Sequence, residues 1–446
     1  MTSVNIGGSG GPEAGLSDQT GEFTGRYLVV FSDKVQGDAG ATNATMQSVA
    51  GISNMASTLD FAGGAADPDA TGDAEAMLFA ELGVAIVSAE SAGVGAVGAL
   101  NADPRILSIE PERILYAIED HPLSLEYVRG YRDAVANLYE QLSGGCETGT
   151  EAGIAAALAD NAGLTWGLQA TRASTSPRTG VDIRLAVLDT GFDLAHADFL
   201  GRPVLSQSFV AGQAVQDGHG HGTHCVGTSC GPKSPAGGGR RYGVATDAGI
   251  LVGKVLSDQG AGSDSNILAG ISWAIANGAN VISMSLGANV QQVSKAYETV
   301  GRRALQAGSL IVAAAGNNAG RAAGNNGFVG IPANSPSIMA VAAVDSDFRI
   351  ANFSARSNSV TGGKIDIAGP GVAVYSSWPM QVAPNRYHTI SGTSMATPHV
   401  AGLAALLSEA TGARGAQLWA KLTQTARPLR LSSADVGAGL AQAPQE

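Results

Sequence analysis

The chain has 446 residues, 44% of them hydrophobic, so it is long enough for a large domain with its own core and a smaller second domain. Its formal net charge of −12 argues against nucleic acids and anionic membranes as partners, since both attract basic surfaces. The sequence holds no apolar run long enough to cross a bilayer, which argues against a membrane-spanning protein and favours a soluble one.

A small α+β domain is predicted near the N-terminus, after a disordered tail of residues 1–24. Within residues 25–118, strand and helix patterns alternate over short distances. The strand patterns cover residues 25–31, 84–88 and 105–111, and the helical patterns cover 44–57 and 91–100. A further helical pattern at 125–142 precedes a stretch rich in glycine, alanine and acidic residues, so residues 119–164 are interpreted as a helix and a linker.

A larger domain is predicted for residues 165–430, followed by a C-terminal tail of residues 431–446. Buried strands alternate here with helices, a pattern typical of a parallel sheet that is covered on both faces. The strand patterns cover residues 183–189, 249–256, 280–286, 309–316, 337–345 and 364–370, and the clearest helical patterns cover 265–278 and 293–308. The predicted fold is a three-layer α/β/α sandwich with a mostly parallel sheet. Reactive groups of such folds gather at the carboxyl ends of the strands.

Two candidate catalytic residues follow from this rule. Asp189 ends the first strand of the large domain, and Gly191 allows a sharp turn directly after it. Such an aspartate can also be an ordinary turn residue or helix cap. His221 lies in the stretch DGHGHGTHCVG, in the first turn of a predicted helix, from which its side chain can reach a strand-end carboxylate. The spacing of the histidines is not that of a zinc site, so no metal is predicted.

Ser394 is the third candidate. The segment SGTSMATPHVAGLAALL opens a long apolar helix at this serine. The positive end of a helix, together with a nearby backbone N–H, can hold negative charge that develops on a substrate carbonyl. The alternative is that Ser394 only caps the helix, as serine often does.

The three cysteines cannot form a complete set of pairs. Cys225 and Cys230 fall on the same predicted helix, where a separation of five residues holds their Cα atoms too far apart for a disulfide. The first twenty residues lack the basic start and the apolar stretch of a secretory signal. Reduced thiols and this N-terminal sequence predict a cytoplasmic location, with non-classical export as the alternative.

Three motifs of the large domain, DTG, HGTH and GTSMATPHVAG, resemble the catalytic motifs of the subtilisin superfamily of serine proteases, and HGTHC resembles its proteinase K-like branch. The resemblance covers about residues 165–427. It implies that Ser394 is the nucleophile, that His221 is the general base and then the general acid, and that Asp189 orients the imidazole. The implied activity is peptide-bond hydrolysis through an acyl-enzyme.

The same resemblance implies a substrate site. Asn317, directly after the stretch AAG, resembles the family's oxyanion-hole asparagine, and the neighbouring Asn318 is the competing candidate. Substrate is expected to bind as an extended strand between two segments, with apolar or aromatic side chains preferred before the cut. The expected binding residues are Gly260, Ala261, Gly262, Ser285, Leu286, Gly287 and, at the floor of the primary pocket, Gly330. Asp264 is expected to be exposed beyond the first edge, where it either favours basic residues upstream or has no effect.

The N-terminal unit, residues 25–118, resembles the propeptide of these proteases, an intramolecular chaperone and inhibitor. The implied protein is a self-processing zymogen whose partners are its own N-terminal domain and protein or peptide substrates, with a cleavage site left open between residues 119 and 163. No cofactor is expected, because residues 233–249 lack the oxygen ligands of a calcium loop, and a weak site built from backbone carbonyls is the alternative. Two other functions stay open: a catalytically silent binding or regulatory module of the same fold, and an esterase or peptide ligase with the same nucleophile.

Overall fold

The computed structural model describes two domains, each built on its own sheet. The described residues are 22–35, 38–66, 68, 74–88, 99–118, 158–236, 238–358, 363–382 and 385–446. The helices predicted at 91–100 and 125–142, most of the predicted N-terminal tail, and Cys146 lie wholly or mostly outside them. Among the described residues, no helix combines the length and the apolar character that a membrane crossing requires.

In its described residues, the N-terminal domain is a mainly antiparallel sheet with one long helix. Its elements are β1 (Phe23–Phe31), α1 (Ala39–Ala50), β2 (Met55–Ser57), β3 (Ala76–Phe79), β4 (Val84–Ser88) and β5 (Ile106–Ala117), with 3₁₀ turns at Thr58–Asp60 and Ala62–Gly64. The strands follow the order β5-β1-β4-β3-β2, antiparallel except for the pair of β2 and β3. Side chains alternate along β1: Val29 and Phe31 pack with Met46 of α1, whereas Leu28 and Val30 join the core shared with the large domain. The sequence analysis did not predict β2 and β3.

The large domain is built on a seven-stranded sheet. Its sheet strands are β6 (Arg184–Asp189), β7 (Val204–Ser208), β8 (Gly249–Lys254), β10 (Val281–Met284), β12 (Leu310–Ala314), β13 (Met339–Val344) and β14 (Ile367–Pro370), and four further strands outside this sheet are β9 (Ala261–Ser263), β11 (Leu286–Gly287), β15 (Val374–Ser377) and β16 (Tyr387–Ile390). Its helices are α2 (Trp166–Ala170), α3 (His221–Cys230), α4 (Asp264–Ala276), α5 (Lys295–Gln306), α6 (Thr393–Thr411), α7 (Gly415–Thr425) and α8 (Ser433–Val436), with 3₁₀ turns at Ala197–Phe199 and Arg321–Ala323. The sheet order is β14-β13-β12-β10-β6-β8-β7, with all pairs parallel.

Side-chain alternation in the strands produces three layers. In β6, Ala186 and Leu188 share one apolar core with residues of α4 and α5. Leu185 and Val187 of the same strand share the other core with residues of α3 and α6. Helices therefore cover both faces of the sheet, and the predicted three-layer α/β/α sandwich with a parallel sheet is confirmed.

The domain boundaries differ from the predicted ones at both ends of the chain. β1 begins at Phe23, inside the segment 1–24 that was predicted as a disordered tail. Residues 431–446 are not a tail, because Leu440 and Ala441 are buried and the backbone of this segment bonds to β14. These contacts are single backbone pairings, which leave no periodic pattern in the sequence.

The last strand of the N-terminal domain continues into the large domain. The first part of β5 pairs with β1, and its last residues lie between β9 and β11. Two buried or partly buried acids of β5 bind helix starts: Glu112 accepts from the N–H of Ser265 (2.9 Å) and Glu110 from that of Ala296 (3.1 Å), in the first turns of α4 and α5. The buried Arg303 of α5 donates to three backbone oxygens of the N-terminal domain. These contacts hold the two domains together.

Candidate active site

Asp189 and His221 form a buried hydrogen-bonded pair at the carboxyl edge of the sheet. Asp189 is the last residue of β6, which lies between β10 and β8. His221 is the first residue of α3, and its Nδ1 lies 2.7 Å from Asp189 Oδ1. Neither side chain is exposed to solvent. The fold thus brings together two candidates that are 32 positions apart in the sequence.

The start of α3 depends on Gly220 and Asp217. Gly220 has a φ of 113°, and a Cβ there would lie 2.3 Å from the Trp378 ring, so glycine is required. The buried Asp217 accepts from three backbone N–H groups of residues 219–223, at 2.8 to 3.0 Å, and from the hydroxyls of two threonines. This network positions the loop that carries His221. The sequence analysis missed Asp217. Its position at the start of the DGHGHG stretch was the feature that could have indicated this role.

Ser394 is the second residue of α6 and is buried. Its hydroxyl donates to the carbonyl oxygen of Ile118, which directly follows β5. Its own carbonyl oxygen accepts from the Ser285 hydroxyl at 2.8 Å, which ties the helix start to one of the predicted substrate edges. A Cβ on Gly392 would lie 2.9 Å from Ser394 Oγ and 3.1 Å from Asn317 Nδ2, so this glycine keeps the space around the serine open.

Asn317 presents its side-chain amide to the same carbonyl group. Its Nδ2 lies 3.4 Å from Ile118 O. Its Oδ1 accepts from the N–H and the hydroxyl of Thr393, at 3.0 and 2.9 Å, and this leaves the NH₂ group facing the cleft. Asn318, the competing candidate, instead bonds the backbone N–H and oxygen of Phe328. The structure therefore brings Asn317, and not Asn318, beside Ile118.

Strand β5 fills the cleft between the two predicted substrate edges. It runs antiparallel to both β9 and β11, the geometry of a peptide strand added to exposed sheet edges. Its N–H groups donate to both sides: Ala117 to Gly260 O at 2.8 Å, and Ile118 to Ser285 O at 3.2 Å. The pairing includes all six expected edge residues, Gly260, Ala261, Gly262, Ser285, Leu286 and Gly287, and also Ser263, which was not predicted.

The primary pocket beside Ile118 is uncharged, and one of its lining positions requires glycine. The cleft cavity has a volume of about 310 Å³, and its described lining carries no carboxylate, lysine or arginine. Gly330 lines it, and a Cβ there would lie 2.3 Å from Ala288 O, so no larger residue fits at this predicted floor position. A larger cavity of about 910 Å³ lies between α6, α7 and the C-terminal residues and includes none of the candidate catalytic residues.

Burial and charge act differently on three buried histidines. Burial opposes the charged form of His221, but the Asp189 carboxylate more than offsets it, so the pKa of His221 lies well above its usual value. His224 and His399 face backbone oxygens instead of a carboxylate. Burial lowers the pKa of His224 to about 3 and that of His399 to about 4. Of these three, His221 is the one whose charged form is stabilised by a carboxylate, which a general base needs once it holds the proton.

Comparison with known proteins identifies the family of the large domain. The model of the subtilase family (Peptidase_S8) matches residues 180–439, more than half of the chain. The chain belongs to the subtilase family. It is 37% identical over 270 residues to subtilisin DY of Bacillus licheniformis, covering 59% of this chain and 90% of that protein. It is 40% identical over 265 residues to a subtilisin of Bacillus pumilus, with the same shares of 59% and 90%, and 41% identical over 231 residues to subtilisin E of Bacillus subtilis (strain 168), with shares of 51% and 56%.

This subtilase is a subtilisin-like serine endopeptidase, as the motifs predicted, and it acts on protein or peptide substrates. The chain spans about half the length of subtilisin E and most of the length of subtilisin DY. The family match begins at residue 180 and does not cover the N-terminal domain. The assignment to the proteinase K-like branch and the cytoplasmic location stay predictions.

Asp189, His221 and Cys225 form the cluster of described residues that could hold a metal ion, with one ligand atom of each within 4.8 Å of the others. Cys225 Sγ lies 3.9 Å from His221 Nδ1. Burial raises the pKa of Cys225 to about 11, so the thiol keeps its proton at neutral pH and is a poor metal ligand. The group suits a hydrogen-bonded catalytic pair better than a metal centre. Cys225 and Cys230 form no disulfide, as their spacing on the helix predicted, and both are buried.

The prediction that Asp264 is exposed was wrong. Its carboxyl group is fully buried, with Oδ2 accepting from the N–H of Arg113 at 2.8 Å and Oδ1 from the Tyr297 hydroxyl at 2.7 Å. The sequence did not indicate that β5 covers this position. The sequence analysis also missed Lys254, which is buried and donates to the backbone oxygen of Thr190, in the turn after β6.

Proposed function

We propose that this subtilase hydrolyses peptide bonds with Asp189, His221 and Ser394 as its catalytic triad and Asn317 as a donor to the oxyanion. The observation that carries the proposal is the position of the Ile118 carbonyl oxygen, in contact with Ser394 Oγ and 3.4 Å from Asn317 Nδ2. In acyl-transfer sites, the reacting carbonyl lies where the nucleophile and the oxyanion donors meet.

In the proposed mechanism, Ser394 Oγ attacks the substrate carbonyl carbon while its proton moves to His221 Nε2, which is buried and has no hydrogen-bond partner among the described residues. The negative charge that forms on the carbonyl oxygen is held by the Asn317 amide. His221 then protonates the leaving amine, the C–N bond breaks, and water hydrolyses the acyl-enzyme by the reverse proton path. Asp189 stabilises the imidazolium, in keeping with the raised pKa of His221. We propose no cofactor, because side chains supply every step.

We also propose that the N-terminal domain is the enzyme's own inhibitor and that the activating cut falls after Ile118. β5 occupies the cleft in the manner of a substrate, so it blocks other peptides. A stable complex between the domains is supported by the two acids of β5 that bind the starts of α4 and α5 and by the buried Arg303 of α5. Cleavage after Ile118 would break the covalent connection between the two domains and leave Glu119 as the new N-terminus.

An apolar residue is the proposed preference directly before the cut. Ile118 occupies this position in the zymogen, beside an uncharged pocket. A Cβ on Gly287 would lie 3.0 Å from Ile118 Cδ1, so this glycine leaves room for a branched or larger apolar side chain. Burying such a side chain stabilises the bound peptide through the hydrophobic effect.

The test is to compare the purified wild-type chain with Ser394→Ala by N-terminal sequencing and mass spectrometry. The wild type should show a new N-terminus at Glu119, whereas Ser394→Ala should fold and stay uncut. Ser391→Ala, a nearby substitution outside the proposed triad, is the matched control and should still be processed. If Ser394→Ala is still processed, Ser394 is not the nucleophile. A wild-type N-terminus elsewhere between residues 120 and 163 would change the proposed cleavage site but not the proposed nucleophile.

A fluorophosphonate probe separates the peptidase from a silent binding module of the same fold. Such probes react with an activated serine hydroxyl and not with an ordinary one. The processed wild-type enzyme should be labelled at Ser394, and His221→Ala should lose most of the label. A wild-type chain that stays both uncut and unlabelled would favour the silent module.

A further inference from the structure

Every second backbone N–H of β5 faces the β9 edge of the cleft. Ala117 donates to Gly260 O at 2.8 Å, and Leu115 lies opposite Gly262. In an extended strand, the N–H groups of alternate residues point to the same side. The next N–H on this side belongs to Arg113, the sixth residue before the proposed cut.

The acceptor for the Arg113 N–H is a side chain. β9 ends at Ser263, and α4 begins at Asp264, so the backbone oxygens that follow turn along the helix axis. At this point the Asp264 carboxylate replaces a backbone oxygen as the hydrogen-bond acceptor, with its Oδ2 2.8 Å from Arg113 N. The Tyr297 hydroxyl donates to Oδ1 at 2.7 Å and holds the carboxyl group in this orientation.

This contact does not depend on the side chain of Arg113. The guanidinium group instead lies 3.8 Å from a carboxylate oxygen of Glu110 and over the Phe23 ring, 5.8 Å from its centroid. A main-chain N–H is offered by any extended peptide unless the residue is proline. Asp264 can therefore bind a substrate in the same way as it binds β5.

We propose that Asp264 is a substrate-positioning residue that binds the main-chain N–H of the sixth residue before the cut. The enzyme then favours substrates that are extended over at least six residues upstream and that lack proline at the sixth. This inference rests on the proposed peptidase function of the same cleft. Because the acceptor is a carboxylate, loss of this hydrogen bond should lower kcat/KM by about tenfold.

Three fluorogenic peptides test the proposal. Each has the sequence RILYAI of residues 113–118, an acetyl cap and a C-terminal coumarin amide. One is unmodified, one carries an N-methyl group on the sixth residue before the cut, and one carries it on the fifth. The fifth is a matched control, because the N–H of Ile114 faces away from β9 and donates to Glu22 O at 2.9 Å.

With the processed enzyme at alkaline pH, methylation of the sixth residue should lower kcat/KM about tenfold, and methylation of the fifth less than about twofold. Asp264→Ala should remove the difference between the two methylated peptides. Asp264→Asn keeps the shape of the side chain but not its charge, and it should reduce this difference. It replaces Asp264→Ala in the test if the alanine variant does not fold. Tyr297→Phe retains the carboxylate but loses the hydroxyl that orients it, so this variant should reduce the difference between the two methylated peptides.

Equal effects of the two methyl groups on the wild-type enzyme would overturn the proposal, as would a penalty that persists in Asp264→Ala. A merely structural role of Asp264 would lower activity on all three peptides alike and would not change their ratios. Failure to cleave any of the three peptides would contradict the peptidase function itself, and the substrate role of Asp264 with it.

Discussion

The affinity of the N-terminal domain for the cleft should fall as the pH rises, because Asp264 binds a proton when the domain docks. In the complex, burial raises the pKa of Asp264 from 3.8 to about 7, and the charge of Glu112 adds to this. The hydrogen bonds from the Arg113 N–H and the Tyr297 hydroxyl, and the Arg113 charge, act in the opposite direction. When β5 leaves the cleft, we expect water to reach the carboxyl group and its pKa to return toward 3.8.

The direction and size of the effect follow from these two pKa values. Below about pH 4 the carboxyl group is protonated in both states, and the affinity is at its highest. Between about pH 4 and 7 the bound state holds a proton that the free enzyme has lost, so the inhibition constant should rise about tenfold per pH unit. The full change is roughly 10³-fold, and the curve should level off above about pH 7.

The assay adds a separately produced segment of residues 22–118 to the processed enzyme and measures the inhibition constant with a peptide substrate at several pH values. The segment begins at Glu22 because the backbone oxygen of this residue accepts from Ile114. Asp264→Asn has no carboxyl group to protonate, so its inhibition constant should change little with pH. A wild-type constant that stays flat or falls between about pH 5 and 7 would refute the reasoning.

Three further changes test the site and the interface. Asn317→Ala should lower kcat by about 10²–10³-fold with little change in KM, as removal of such a donor does in a subtilisin, and an unchanged kcat would assign the role elsewhere. A mercurial that reaches Cys225 should partly inhibit the enzyme, because the sulfur lies 3.9 Å from His221 Nδ1 and a shift of about 1 Å in a catalytic group costs roughly 10²-fold. Cys225→Ala should keep most of the activity and resist the reagent, and equal inhibition of this variant would place the reactive thiol elsewhere. Glu112→Ala removes the buried acceptor at the start of α4 and should raise the inhibition constant of the segment roughly tenfold to a hundredfold, whereas an unchanged titration would contradict its docking role.

Local patterns in the sequence were enough to predict most of the large domain. The strand predicted at 183–189 is β6, Arg184–Asp189, because a strand buried on both faces is a continuous apolar run. The edge strand β7, Val204–Ser208, was missed, since its residues VLSQS are partly exposed and mostly polar. Patterns of this kind report the burial of a segment, and they fail where burial is incomplete.

The sequence by itself identified the candidate catalytic residues, because Asp189, His221 and Ser394 lie in short motifs at a strand end and at two helix starts. Only the tertiary structure decided what surrounds them. The burial of Asp264 and the position of Ile118 both depend on where β5, which ends more than 100 residues before the cleft edges begin, comes to lie between β9 and β11. A contact between segments so far apart leaves no local periodicity, so these two positions became visible only once the domains were packed together.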